Sequence, residues 1–137
     1  MTVSLQRRRT IVADNDTPTY ESPRNPNMLR RRPQGAAYYA PETFSDRVWN
    51  LYFISVTPGR QGGGIGGALL NHVDNELRQR GPSNAQVLIV ETSSTNQYTR
   101  TRKFYPKYGF VEEARIRRFY GPNDHKVVFW KSLTTDR

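Results

Sequence analysis

The chain has 137 residues, enough for one domain built on one hydrophobic core. It contains no cysteine and only two histidines, His72 and His125, which excludes disulfides, thiolate metal sites and a cysteine nucleophile and leaves a histidine-built zinc site or a serine–histidine–aspartate triad poorly supplied; no metal is expected. The formal net charge of +9, spread along the chain rather than held in one tail, suits a polyanion: nucleic acid, anionic lipid or a multiply phosphorylated cofactor.

Residues 1–34 hold four of the nine prolines, the arginine triplets Arg7–Arg9 and Arg30–Arg32, and many small polar residues without helical period. They predict an irregular or disordered basic segment, with Thr2–Leu5 or Thr10–Ala13 as short strands. No apolar stretch follows the first triplet as an export signal requires, and no run reaches the length of a membrane span, so cytoplasmic residence without membrane contact is expected. Residues 35–137 read as the folded domain. Ala36–Ala40 predicts a strand, Pro41–Arg47 a loop, and Trp49–Val56 a nearly continuous apolar strand buried on both faces. After the loop Thr57–Gly63, the residues Ile65, Leu69, Leu70, Val73 and Leu77 recur at helical spacing over Gly64–Arg80, and Gly81-Pro82 stops that helix. Val87–Val90 predicts a second buried strand. Tyr98–Tyr108 predicts a helix closed by Gly109, with Pro106 kinking its last turn. Glu112–Tyr120 and Lys126–Leu133 predict a hairpin around the turn Gly121–Asp124. The fold class is α/β: a mixed central sheet with a strand–glycine loop–helix–strand crossover, a further helix, a C-terminal β-hairpin, and no helices in the N-terminal segment.

The crossover carries the sequence RQGGGIGGALL, Arg60 to Leu70, where glycines crowd a helix start. Unpaired N–H groups and partial positive charge make a helix N-terminus an anion site. A phosphate-binding loop of the G-x-x-x-x-G-K-[ST] type is rejected, because Ile65 and Gly66 stand where lysine and a hydroxyl are required. Gly62, Gly64 and Gly67 match the dinucleotide fingerprint G-x-G-x-x-G, and Glu91 stands near the place of its ribose-binding acid. Against it, five residues separate the strand from Gly62, and too little chain follows for a second nucleotide-binding half.

A third pattern fits better: a strand ending in Val56-Thr57-Pro58, then Gln61-Gly62-Gly63-Gly64-Ile65-Gly66, a buried strand, a helix with Phe104-Tyr105, the terminator Gly109-Phe110, and a hairpin. In this series the chain resembles the GNAT family of acyl-CoA N-acyltransferases from about Gly35 to Leu133. The stretches GAAYYAPE, WNLYFISV, VETSS and EEARIRRFY look like a bacterial branch of it. The resemblance implies an N-acetyltransferase that moves an acetyl group from acetyl-CoA to a primary amine by direct attack on the thioester. It places the cofactor diphosphate on the amides of Gln61, Gly62, Gly63, Gly64, Ile65 and Gly66, and the pantetheine arm on the backbone of Ile54 and Val56, beside a slot left by the splaying Val87–Val90 strand. An N–H near Val56 would face the thioester carbonyl. Tyr105 falls at the family's general-acid position, or is simply a packing aromatic. Many relatives carry a glutamate where this chain has Asn50; Glu91 is the remaining acidic candidate for the base, or a loop carboxylate that stabilises Thr92 or Ser93. The asparagine of the family's N-x-x-A-x-x-x-Y pattern is replaced by Tyr98.

Other side chains have plainer readings. Arg60 or Arg100 could meet a cofactor phosphate or sit in solvent, and His72 and His125 read as surface residues. Tyr38, Tyr39, Trp49, Tyr52, Phe119 and Tyr120 are candidates to line an acceptor pocket or to fill the core. The acceptor is open, and a second copy of the chain is a further candidate partner. Two rival functions remain: a basic nucleic-acid-binding module gripping duplex through the arginine triplets, ranked below the enzyme, and an acyl-CoA-binding protein with little or no catalysis because the acceptor-site helices are missing.

Overall fold

A computed structural model of the chain describes residues 9–14, 17–20, 34–59 and 61–135, with side chains described over 34–59 and 61–135. Thr2–Leu5, the triplet Arg30–Arg32 and Arg60 lie outside these residues. The strands are β1 (Arg9–Asp14), β2 (Thr17–Tyr20), β3 (Gly35–Pro41) and β4 (Val48–Val56); helix α1 (Ile65–Gln79) leads to β5 (Val87–Ser93), helix α2 (Thr99–Phe104), β6 (Val111–Gly121) and β7 (Asp124–Ser132). They form one seven-stranded mixed sheet in the order β2-β1-β3-β4-β5-β7-β6. The pair β4–β5 is parallel and is bridged by α1, the expected crossover; the other pairings are antiparallel. Thr10–Ala13 falls within β1, so part of the first 34 residues is bonded into the sheet. Among the described residues no helix precedes α1.

Both α-helices pack on one face of the sheet. Ile65, Leu69, Leu70, Val73 and Leu77 of α1 meet Ala37, Tyr39, Trp49, Leu51, Leu88 and Val90, and all are at most 5% exposed. Burying each large side chain contributes roughly 1.5–3 kcal/mol. The far end of α1 is tied down by Glu76, which accepts from Tyr39 Oη at 2.6 Å and from Arg80 Nε at 2.7 Å, while the Arg80 guanidinium lies 4.7 Å over the Trp49 ring. Tyr39 and Trp49 are therefore core residues and leave the candidate pocket lining.

β4 departs from the expectation of burial on both faces. Tyr39 pairs with Leu51 but Tyr38 pairs with Phe53, so Tyr52 has no counterpart and forms a β-bulge. The bulge turns Tyr52 and Phe53 toward the face opposite α1, where their rings lie 5.6 and 6.0 Å from Tyr38 and each is about half exposed. An apolar run alone cannot reveal that the helices cover only one side.

Pro106 acts as its chemistry dictates. It lacks an N–H and crowds the preceding turn, so the α-helix ends at Phe104 and Tyr105–Tyr108 continues as a 3₁₀ turn closed by Gly109 in the left-handed conformation, φ 91°.

Candidate active site

The site starts from a gap in the sheet. β4 and β5 pair only from Val48–Val87 to Leu51–Val90. Beyond that point β4 runs on to Val56 and β5 to Ser93, with β5 still bonded to β7 as far as Ser93–Lys126. A wedge thus opens between neighbouring parallel strands, its apex at Leu51 and Val90. Ile54 and Val56 line its β4 side, so the expected slot is present, and their side chains pack on the core beneath α1.

The wedge opens toward the glycine turn. Gln61 to Gly64 are exposed, Gly62 and Gly64 have φ of 86° and 84°, and a Cβ on either would meet nothing within 4 Å. Left-handed backbone of this kind favours glycine. Gly64 caps α1 without a side-chain bond, and the first turn holds no acidic residue. The helix start therefore presents amides and positive dipole to solvent with no internal anion competing.

Gly67 answers to packing. A Cβ on Gly66 would face Phe104 and Val56, and a Cβ on Gly67 would fall inside the contact radius of the Tyr108 hydroxyl. Gly67 thus forms the notch that seats the 3₁₀ turn after α2, whereas a Cβ on Gly66 would make only ordinary contact. Through that notch, Tyr105 is held relative to the start of α1.

Tyr105 is 5% exposed, in ring contact with Phe104, Phe110 and Phe129. Phe129 pairs with Val90, so Tyr105 sits over the wedge apex on the helix face. Burial pushes its phenol up to about 12. In the unfolded chain the group titrates near 10, so between pH 10 and 12 the unfolded state loses a proton that the folded state keeps. Stability consequently falls as pH rises through this window, by about 2–3 kcal/mol for this residue. Urea unfolding between pH 9 and 12 checks it: Tyr105→Phe is expected to lose that component of the slope.

Glu91 directly follows Val90 and points to the opposite face. Its Oε2 lies 3.1 Å from Nζ of Lys126, a buried lysine whose ammonium also sits 3.6 Å from the Phe119 ring centroid. The hairpin explains how Phe119 reaches there. Ile116 pairs with Lys126 but the next pair is Gly121–Asp124, so Arg117–Tyr120 bulge opposite His125 alone. Arg118 takes a left-handed φ of 58°, and its N–H donates to His125 Nδ1 at 2.9 Å. The bulge folds Phe119 and Tyr120 back over the end of β5. Burial first, then the carboxylates of Glu91 and Asp124, raise the Tyr120 phenol above its ordinary value. His125 is thereby a structural acceptor. Arg102 closes the same corner by donating to the carbonyls of Ser93 and Thr95 at 2.7 and 2.8 Å.

Two residues near the site escaped the sequence reading. Lys126 opens the predicted hairpin strand Lys126–Leu133, and only pairing with β5 reveals its contact with Glu91. Glu42, just past β3, accepts from Asn50 Nδ2 at 2.6 Å, which puts a carboxylate beside the position where relatives carry a glutamate. Arg100 is exposed on α2, and His72 lies half-buried on α1.

The family model of the acetyltransferase (GNAT) domain matches residues 8–112. The chain belongs to the GNAT acetyltransferases. It is an acyltransferase by that membership. Solved structures agree in fold. A GNAT-family protein from Desulfovibrio desulfuricans is 29% identical, with a TM-score of 0.76 over 94% of this chain and 70% of its own. The ribosomal-protein-S18-alanine N-acetyltransferase of Escherichia coli is 20% identical, with a TM-score of 0.70 over 98% of this chain and 74% of its own. An aminoglycoside 6'-N-acetyltransferase complexed with coenzyme A is 16% identical, with a TM-score of 0.73 over 97% of this chain and 77% of its own. No curated protein sequence matches the chain. Among the described residues no helix is long and apolar enough to cross a membrane, and no cluster of three or more metal-ligating side chains occurs.

Proposed function

We propose that this GNAT protein transfers an acetyl group from acetyl-CoA to a primary amine. The observation that carries the reading is the wedge between β4 and β5, which ends against a turn of exposed glycines at an uncapped, acid-free helix start. A long, thin molecule with a diphosphate at one end and a reactive group at the other fits that combination. The open Cβ positions at Gly62 and Gly64 leave the backbone accessible to phosphate oxygens. The structure of a fold relative in complex with coenzyme A supports the choice of donor.

When bound, acetyl-CoA supplies the acetyl group already activated as a thioester. The chain's residues would do the rest. The amides of Gln61–Gly66 hold the diphosphate, and the edge of β4 facing β5, open beyond Leu51, orients the pantetheine arm at Ile54 and Val56. Glu91 takes the proton of the attacking amine on one face of the sheet. Tyr105, on the other face, gives a proton to the departing sulfur. A phenol raised to about 12 is a weak acid beside an ordinary thiol near 8.5, but the burial that raises it also raises a thiol held in the same dry pocket. Its proton therefore stays in place at every working pH and moves when negative charge builds on sulfur. Tyr38, Tyr52, Phe119 and Tyr120, around the helix-free side of the wedge, form the aromatic part of the acceptor's surroundings.

Titration calorimetry with acetyl-CoA, together with amide spectra, tests the binding half. Saturable binding with movement of the Gln61–Gly66 signals is the expected result; binding that leaves those signals still sinks the assignment. A thiol-release assay over a panel of primary amines tests the transfer half.

A further inference from the structure

Lys126 is an unusual residue to find beside a carboxylate proposed as a base for amines. It is one of only four lysines in the chain, with Lys103, Lys107 and Lys131. Lys103 and Lys107 are exposed near the end of α2, and Lys131 pairs with Asp74 of α1 on the helix face. Lys126 alone lies on the helix-free face against Glu91, the residue of β5 that follows the wedge apex. Its backbone is level with Ser93, two residues beyond Glu91, and its side chain reaches back toward the apex to place Nζ 3.1 Å from the Glu91 carboxylate. Phe119 covers the ammonium at 3.6 Å, and the residue is only 9% exposed. The chain thus holds a primary amine of its own where Glu91 would receive an acceptor's proton.

We propose that Lys126 is an internal acceptor, so that the protein acetylates itself at this Nζ. The inference rests on acetyl-CoA as donor and Glu91 as base. The ammonium gives one proton to Glu91, which ends both the ion pair and the attraction to the Phe119 ring and frees the neutral amine to turn toward the wedge. Nitrogen attacks the thioester carbonyl, the C–N bond forms and the C–S bond breaks; the second proton lost by the nitrogen goes to the leaving thiolate, which departs as free coenzyme A, and Glu91 releases the first to solvent. The product is an uncharged acetyl-lysine that no longer pairs with Glu91. Because amine and site belong to one chain, the step benefits from high effective concentration.

The test needs only the full chain and acetyl-CoA. Intact mass and peptide mapping after incubation are expected to show one acetyl group, on the peptide containing Lys126, formed at a first-order rate independent of protein concentration. Lys126→Arg keeps the charge and removes the nucleophile, and Glu91→Gln removes the base; both are expected to abolish that product while the circular dichroism spectrum stays native. Acetylation confined to Lys103 or Lys107 overturns the proposal, as does an unmodified Lys126 in a protein that acetylates added amines. Failure to bind acetyl-CoA by calorimetry overturns it together with the donor assignment, so the two failures are told apart.

Discussion

Tyr105→Phe is expected to lower kcat roughly 10²–10⁴-fold while leaving acetyl-CoA binding within a few fold. The ring is wedged among Phe104, Phe110 and Phe129, and phenylalanine fills the same volume, so the packing that holds the 3₁₀ turn survives. What disappears is one proton donor at the wedge apex. The loss should appear in kcat and kcat/KM together, because a proton given to a departing sulfur acts in the transition state and not in binding. Steady-state thiol release beside calorimetry reads both quantities. A rate unchanged by the substitution would falsify the acid assignment and return Tyr105 to a purely packing role.

The second large effect separates glycines that neighbour each other in sequence. Gly67→Ala drives a methyl group into the Tyr108 hydroxyl, and Tyr108 is anchored by Phe104, its ring centroid 4.9 Å away. Overpacking of this kind costs about 1–3 kcal/mol and loosens the turn that carries Tyr105. Thermal unfolding is expected to show a clear drop in midpoint, largely recovered when Tyr108→Leu is added, as a double-mutant cycle would measure. Gly64→Ala behaves differently. Its Cβ meets nothing, so the fold bears only the strain of an alanine at φ 84°, about 1–2 kcal/mol, while the methyl group stands on the open side of the turn where phosphate oxygens would approach. Its main expected effect is a weaker acetyl-CoA complex. Should Gly67→Ala and Gly64→Ala weaken donor binding equally without loss of stability in the former, the division of labour between the glycines is wrong.

Both predictions rest on distinctions that the sequence shows only in outline. The glycine run, the proline after Tyr105 and the helical spacing from Ile65 to Leu77 act over a few residues, through backbone conformation and periodic burial. Local chemistry of that range is readable along a chain. It was therefore enough to place the crossover, the broken second helix and the hairpin, and to carry the resemblance to the GNAT family. Which side of a glycine faces solvent and which faces Tyr108 is a question of contact across more than thirty residues, and no local pattern encodes it.

The same boundary runs through the candidate site. Residue type and order by themselves determined an α/β chain with an anion-receptive helix start and without cysteine chemistry, and the GNAT resemblance they carry implied Tyr105 and Glu91 as acid and base candidates. Only the tertiary structure decided that these two stand on opposite faces of one wedge, because successive residues of a strand alternate sides and Phe129 brings Tyr105 over Val90 while Glu91 turns away. Only strand pairing placed Lys126 on Glu91, and only the bulge at Tyr52 exposed the aromatic face beside them. Periodicity reports how deep a residue is buried; register and the choice of neighbouring strand settle what it is buried against, and those are properties of the assembled sheet.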